Sequence, residues 1–266
     1  MRIIRWMGVL VIIASLALAI TACTPPAPAA PAAEAPAQQP AAAPVKIKVG
    51  TNAEYRPFEY VDESGEIVGF DVDLIKELAK RAGYEVELVN TKWDGIFTAL
   101  AAGEFDVVAS ACTITDERKQ SVDFTDPYFN AGQSIAVLAD NDTIKTVEDL
   151  KGKRIGVQLG TTGDMEASKI EGAEVKRYEE ITLAFQTLAN GDVDAVVNDT
   201  PTSADIIKAN PEIKAKIVGE SFTNEFYGIA VNKGKPEIRD ALNKALAEIK
   251  ADGTYDQIYQ KWFGGE

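Results

Sequence analysis

Past its first 45 residues the chain reads as an α/β protein of two lobes joined by a double-strand hinge, and three observations carry that reading. Strand-like and helix-like segments alternate, and the alternation restarts near residue 147. Two apolar segments, at about 131–137 and 225–231, stand where the chain can cross between the two units. Strands joined through helices of this length form largely parallel sheets. Residues 46–266 also leave enough length for either one large domain or two small lobes.

Taken in order, residues 46–51 (KIKVGT) predict a strand. Residues 71–82 predict a helix capped by Asp71, with Ile75, Leu78, Ala79 and Ala82 on one face and Gly83 as its stop. A strand comes next over 84–89, a helix over 93–102 ending at Gly103, and a strand over 106–111. The second unit begins with a short helix at 147–150, then alternates: strand 154–159, helix 162–170, strand 173–178, helix 181–189, strand 194–198. Residues 225–231 (EFYGIAV) predict one more strand. Pro236 then opens a long helix bearing Ile238, Leu242, Leu246 and Ile249. A final short helix holds Tyr255, Ile258, Trp262 and Phe263. Lobe 1 is expected to comprise 46–132 and 229–266, and lobe 2 to comprise 133–228 with the hinge strands.

The N-terminus stands apart. Residues 1–23 read MRIIRWMGVLVIIASLALAITAC, with early arginines, an apolar run over 7–20, and small residues after it. That run falls short of the roughly 20 apolar residues of a membrane span, and its flanks are those of a secretory signal, here residues 1–22. The ending Ile20-Thr21-Ala22-Cys23 resembles the bacterial lipobox, in which the cysteine is acylated and becomes the mature N-terminus. The other reading is an ordinary signal peptide with an incidental cysteine after it. With Cys23 lipidated, the one other cysteine, Cys112, has no intramolecular partner and is expected as buried packing, not as a nucleophile. Residues 24–44 are almost entirely Ala and Pro, so residues 23–45 read as the lipidated cysteine and its tether. At about 3.1 Å per residue such a tether reaches about 60 Å.

Composition excludes much. A net charge of −14 argues against nucleic acid, which calls for a basic stripe. The chain has no histidine, which removes Ser-His-Asp and Cys-His nucleophilic systems, His-ligated zinc and the commonest general base together. Neither a GxxxxGK[ST] loop nor a GxGxxG fingerprint is present. No metal and no cofactor is expected.

Ligands of open α/β sheets sit beyond the carboxyl ends of strands. Reading only those ends collects Asn52, Glu54 and Tyr55, then Trp93, then Ser110, Ala111, Thr113 and Arg118. The second unit contributes Gln158, Gly160, Thr161, Thr162, Asn198 and Asp199. This set suits a zwitterion. Arg118 can grip a carboxylate bidentately, helped by N–H groups where a helix opens at Thr162. Asp199 can take an ammonium, and Tyr55 and Trp93 can sandwich a side chain. With Arg118 on one lobe and Asp199 on the other, only a closed form satisfies both ends of the ligand. Each residue also has a plainer reading: Arg118 as a surface residue of DERK, Tyr55 and Trp93 as core, Asp199 as a helix cap.

The segments GTNAEYRPFEY, GEIVGFDVDLIKELAK, WDGIFTAL, TITDERKQSVDFTDPYF, GVQLGTTG, DVDAVVNDTP and DGTYDQIYQKWFG resemble the polar amino-acid solute-binding proteins of bacterial ABC importers. The resemblance runs from about Lys46 to Phe263, and TITDERKQSVDFTDPYF is its most specific block. It implies a two-lobed periplasmic-binding-protein fold of type II that closes on a free L-amino acid, and no enzymatic activity. Arg118 matches the family's carboxylate-binding arginine and Asp199 its amino-group aspartate. Tyr55 and Trp93 match its aromatic walls, and Ser110, Thr113 and Thr162 its hydroxyl and backbone contacts. The implied partners are an ABC permease and, through the lipid, a bacterial membrane facing periplasm or cell surface; a monomer is expected.

Departures from the family pattern bear on the ligand. Asn52 stands where many relatives that take basic amino acids have aspartate, Ala111 where serine or glycine is common, and Gln158 where some glutamine binders have lysine. GVQLGTTG is closer to arginine-type members. A basic amino acid is favoured, arginine or lysine, with glutamine next; no extra cation is available for glutamate or aspartate. Two other classes stay open: a dehydratase-like cleft enzyme with Glu54 as its acid, and an amino-acid sensor module.

Overall fold

The computed structural model describes residues 45–264; the expected signal peptide, Cys23 and the expected tether up to residue 44 lie outside them. The described chain is mixed α/β with two sheet-containing lobes. Edge to edge, the first sheet runs Tyr84–Asn90, Val45–Thr51, Val107–Val108, Ala230–Val231, Asp123–Phe124. The second runs Glu174–Tyr178, Arg154–Gln158, Ala195–Asp199, Gln133–Leu138, Ala215–Val218.

Both sheets share one plan. Two pairings on one side are parallel, and the two on the other side are antiparallel. The expectation of largely parallel sheets therefore holds for half of each. The reason is the hinge: Gln133 pairs with Asp199, so the strand entering lobe 2 starts opposite the end of a parallel strand and must run against it. Between the sheets, Phe129–Ala131 pairs antiparallel with Glu225–Tyr227. The predicted single strand over 225–231 is thus two, Glu225–Tyr227 and Ala230–Val231, broken at Gly228. A Cβ on Gly228 would stand 2.8 Å from Ile114 Cδ1 and 3.2 Å from the Thr125 carbonyl.

Several boundaries shift in ways that shape the site. The helix predicted from Trp93 begins only at Ile96, after Gly95 takes a left-handed φ of 83°, which leaves Trp93 in the preceding loop. The strand expected over 106–111 shrinks to Val107–Val108, and the residues after it turn inward. The helix Phe70–Ala82 forms as its apolar spacing predicts and stops at left-handed Gly83, whose N–H reaches the carbonyls of Ala79 and Lys80. Asp71 does not cap it. Gly69 occupies that position, and Asp71 is a buried helical residue that accepts from the Ala111 N–H at 2.7 Å and from Tyr128 OH at 2.5 Å.

An aromatic block stiffens the hinge. Phe58 meets Phe129 and Tyr227 edge-on at 5.0 and 5.2 Å, and Phe70 and Phe263 close the same cluster. Burying each such ring contributes about 1.5–3 kcal/mol, and edge-to-face geometry adds about 0.5–1.5 kcal/mol per pair. The block fixes the backbone of both hinge strands, and Tyr227 carries it directly into the site.

Candidate functional site

A narrow cavity lies where the two sheets point their strand ends at one another. Its lining holds eleven of the residues picked from strand ends: Asn52, Tyr55, Trp93, Ser110, Ala111, Thr113, Arg118, Gln158, Thr161, Thr162 and Asp199. Glu59, which strand-end reading missed, lines it as well.

Arg118 sits in a 3-10 turn, Arg118–Gln120, whose first N–H is accepted by Thr115 Oγ1 at 3.1 Å. The surface reading of DERK fails for this residue, which is 6% exposed. Its guanidinium donates to the carbonyls of Thr113 at 2.8 Å and Gly160 at 3.3 Å. It lies over the rings of Phe97 at 4.5 Å and Trp93 at 5.2 Å. Among the described residues no carboxylate pairs with it. Burial pulls its pKa down, and the Asp199 and Glu225 charges, neither of them in contact with it, only partly oppose that pull.

Asp199 is the opposite case. It precedes the helix Thr200–Ala209 yet makes no side-chain cap bond, so its carboxylate is free to turn into the cavity. Tyr227 OH donates to its Oδ2 at 2.5 Å, Tyr55 OH to the same oxygen at 2.8 Å, and Gln133 Nε2 to its Oδ1. Burial pushes its pKa up to about 6, while these donors work in the other direction. Tyr55 is therefore both a cavity wall and a cross-lobe donor.

At another part of the wall, Asn52 N–H donates to Ser110 Oγ at 2.9 Å, and Ser110 Oγ donates to Glu59 Oε1 at 2.9 Å. Asn52 Oδ1 accepts from Gln158 Nε2 of lobe 2 at 3.3 Å. Glu59 is 1% exposed, and its Oε2 has no partner among the described residues. Burial first, and then the nearby Asp71 charge, raise its pKa well above the carboxylate range. Ala111 holds a left-handed φ of 45°, a conformation that costs a residue with a Cβ roughly 1–2 kcal/mol. Asp71 compensates by taking its N–H.

Thr161 caps the helix Thr162–Ala167, accepting from Asp164 N–H at 3.2 Å and donating to the Gln158 carbonyl at 2.8 Å. This helix is only 6 residues long, so its value to an anion lies in individual N–H groups near Thr162 more than in a macrodipole. Glu54, the acid offered for a cleft enzyme, is exposed and lies outside the cavity lining. Cys112 is buried and free, and burial raises its thiol pKa, which suits packing and not nucleophilic work.

Residues 47–265 match the bacterial extracellular solute-binding proteins, family 3. The chain belongs to this family. A probable histidine-binding protein from Neisseria gonorrhoeae is 41% identical over 236 residues, covering 86% of this chain and 88% of its own. An ancestral arginine-binding protein solved with arginine is 51% identical, with a TM-score of 0.79 over 82% of this chain and 98% of that one. An ancestral arginine-binding protein solved with glutamine is 50% identical, with a TM-score of 0.77 over 83% and 98%. The two-lobed architecture is accordingly the type II fold of periplasmic amino-acid binding proteins. No helix among the described residues is long and apolar enough to cross a membrane.

Five side chains in or against the cavity wall escaped the strand-end reading: Glu59 in the lining, and Phe97, Gln133, Glu225 and Tyr227 in contact with lining residues. Gln133 had a readable signal, a polar residue opening the buried apolar run QSIAVL. The others lie inside short elements where sequence alone assigns no facing.

Proposed function

We propose that this protein captures a free L-amino acid, arginine or lysine before glutamine, by closing its two lobes on it, and delivers it to an ABC permease. One observation carries the reading. The cavity holds a buried cation without a counter-ion and, across the cleft, a buried carboxylate with only neutral donors. A buried charge is costly unless paired. A zwitterion supplies both missing partners at once, its carboxylate to Arg118 and its ammonium to Asp199. Tyr55 and Trp93 flank its side chain, with Thr113, Thr161 and Thr162 beside its charged end and Ser110 and Ala111 on the wall behind.

Glu59 favours a basic side chain. Its unpaired Oε2 is an acceptor for a guanidinium or ammonium, which offsets the loss of charge at Asn52. Asn52 and Gln158 together offer a carboxamide its complement, which keeps glutamine second. The lobes are taken as residues 46–132 with 229–266, and 133–228. The protein acts as a monomer outside the cytoplasm, held by a lipid on Cys23 and the adjoining tether, and binds without turnover or cofactor.

The test is a thermal-shift screen of the standard amino acids on protein freed of ligand by unfolding and refolding. A ligand at 100 times its Kd adds about 2.7 kcal/mol, or roughly 5–10 °C for a chain this size. A shift led by arginine or lysine supports the basic reading, and one led by glutamine moves the site to a carboxamide. No shift on a cooperatively melting sample sinks the zwitterion clamp. The same incubations, run by NMR with cyclic carboxylic acids added, check for turnover; product formation would transfer the site to the enzyme reading.

A further inference from the structure

We infer that Glu225, on the hinge strand Glu225–Tyr227, is the positioning residue that ties closure of the two lobes to retention of the ligand. The inference rests on the amino-acid reading above and adds a residue outside the cavity lining to it. Glu225 Oε2 accepts from Thr162 Oγ1 of lobe 2 at 2.7 Å and from Thr113 Oγ1 of lobe 1 at 3.1 Å. These two hydroxyls are themselves 3.5 Å apart, one from each wall of the cavity. Its other oxygen, Oε1, accepts from Thr223 Oγ1 at 2.8 Å, which fixes the carboxylate on the hinge. Gln133 Nε2, which donates to Asp199, also lies 3.1 Å from Thr162 Oγ1 and 3.4 Å from Glu225 Oε2.

The geometry has two consequences. One oxygen can accept from both threonines only while Thr113 and Thr162 are a few ångströms apart, so any opening of the cleft breaks at least one bond. Both hydroxyl protons are also spent on Glu225, so these side chains turn lone pairs toward the cavity. They therefore face the ligand as acceptors, which suits its ammonium, and leave its carboxylate to Arg118 and backbone N–H groups. The link acts on the closed form alone and is absent from the encounter.

The test is stopped-flow Trp fluorescence of the purified protein with L-arginine and with L-glutamine, comparing the unaltered chain with Glu225→Ala, Glu225→Gln and Thr113→Val. Glu225→Ala is expected to raise the dissociation rate about tenfold with the association rate within twofold, because charge-assisted hydrogen bonds to the closed form are lost. Glu225→Gln keeps an acceptor oxygen and is expected to restore dissociation to within about threefold. Thr113→Val leaves Glu225 in place, serves if Glu225→Ala fails to fold, and is expected to speed dissociation about fivefold, an effect that shrinks in the Glu225→Ala background. An unchanged dissociation rate in Glu225→Ala or Thr113→Val, or a Glu225→Gln protein as impaired as Glu225→Ala, overturns the inference while leaving the amino-acid reading intact. No binding of any amino acid to the unaltered protein overturns both.

Discussion

The two lobes face the cavity with opposite kinds of incompleteness. Lobe 1 buries a cation, Arg118, whose partners are two carbonyls and two aromatic faces. Lobe 2 buries an anion, Asp199, whose three neutral donors satisfy its hydrogen bonding without neutralising its charge. The sheets beneath them are built to one plan, so the difference lies in the segments that leave the strand ends. After Val107–Val108 the chain makes a turn that carries a long side chain back across Trp93. After Ala195–Asp199 it enters a helix that leaves a short carboxylate at the strand's tip. A long guanidinium can reach a neighbour's carbonyl, whereas a short carboxylate waits for donors to come to it.

That contrast makes the two residues equal in binding and unequal in stability. Arg118→Met and Asp199→Ala are each expected to weaken amino-acid binding by more than about 100-fold, since each leaves one end of a buried zwitterion unpaired at a cost of about 3–5 kcal/mol. Isothermal titration checks this. Melting of the ligand-free variants then separates them. Asp199→Ala leaves Tyr227 OH as a buried donor without an acceptor, while Tyr55 keeps Asn198 Oδ1 and Gln133 keeps Thr162 Oγ1, and is expected to cost about 1–3 kcal/mol. Arg118→Met removes an unpaired buried charge for a side chain of similar length and is expected to stay within about 1 kcal/mol of the parent, or above it. Equal destabilisation by both would erase the contrast.

A smaller effect divides the two favoured ligands. Burial first, and then the Asp71 charge, shift Glu59 toward its protonated form, and a guanidinium arriving at its Oε2 favours the ionised form instead. Arginine binding near pH 7 is then expected to release a proton, seen as a dependence of titration heat on buffer ionisation enthalpy. Glutamine binding is not. Glu59→Gln is expected to abolish that release, to weaken arginine about tenfold, and to leave glutamine within about threefold. Proton release that survives the substitution would assign it elsewhere.

How much of this was legible depended on which residues end strands. Alternating segments gave away the lobes, and the rule that ligands sit past strand ends led to Arg118, Asp199 and the hydroxyls around them. Burial of Arg118 was not legible: DERK has the composition of a surface, and Trp93, from a distant loop, and Phe97, from the helix that follows it, fold over the guanidinium. Asp71 looked like a cap because sequence shows its place before an apolar run but not the Ala111 N–H that draws it inward. Glu59 and Glu225 were out of reach for a further reason. Each lies in a three-residue strand too short for alternation to show a facing, and Glu225 meets Thr113 across 112 positions of chain. Polar contacts of that range are set by topology, which periodicity does not encode.

The smallest expected effect is the most revealing of the two-sided design, because acid should move stability and affinity in opposite directions. Burial raises Asp199 to about 6 and Asp71 to about 7, whereas the unfolded chain holds such groups near 3.9. Between roughly pH 7 and pH 4 the folded protein therefore binds more protons than the unfolded one, and their contribution to stability grows as pH falls through that window. It is complete below about pH 4 and is lost again as pH rises through 6 to 7. Exposed carboxylates held low by their partners, such as Asp252 at about 2, give up their share only below about pH 4 and so do not mask it. The ligand's ammonium needs Asp199 ionised, so affinity falls by up to about tenfold per unit below pH 6. Ligand-free melting should rise by a few degrees from pH 7 to pH 5 while arginine affinity drops. Asp199→Ala should keep the part of the melting rise due to Asp71 and lose the part due to Asp199. A protein whose affinity held while its stability failed to rise over this range would show that Asp199 is already ionised in the folded cleft well below pH 6, with Tyr55, Tyr227 and Gln133 outweighing its burial.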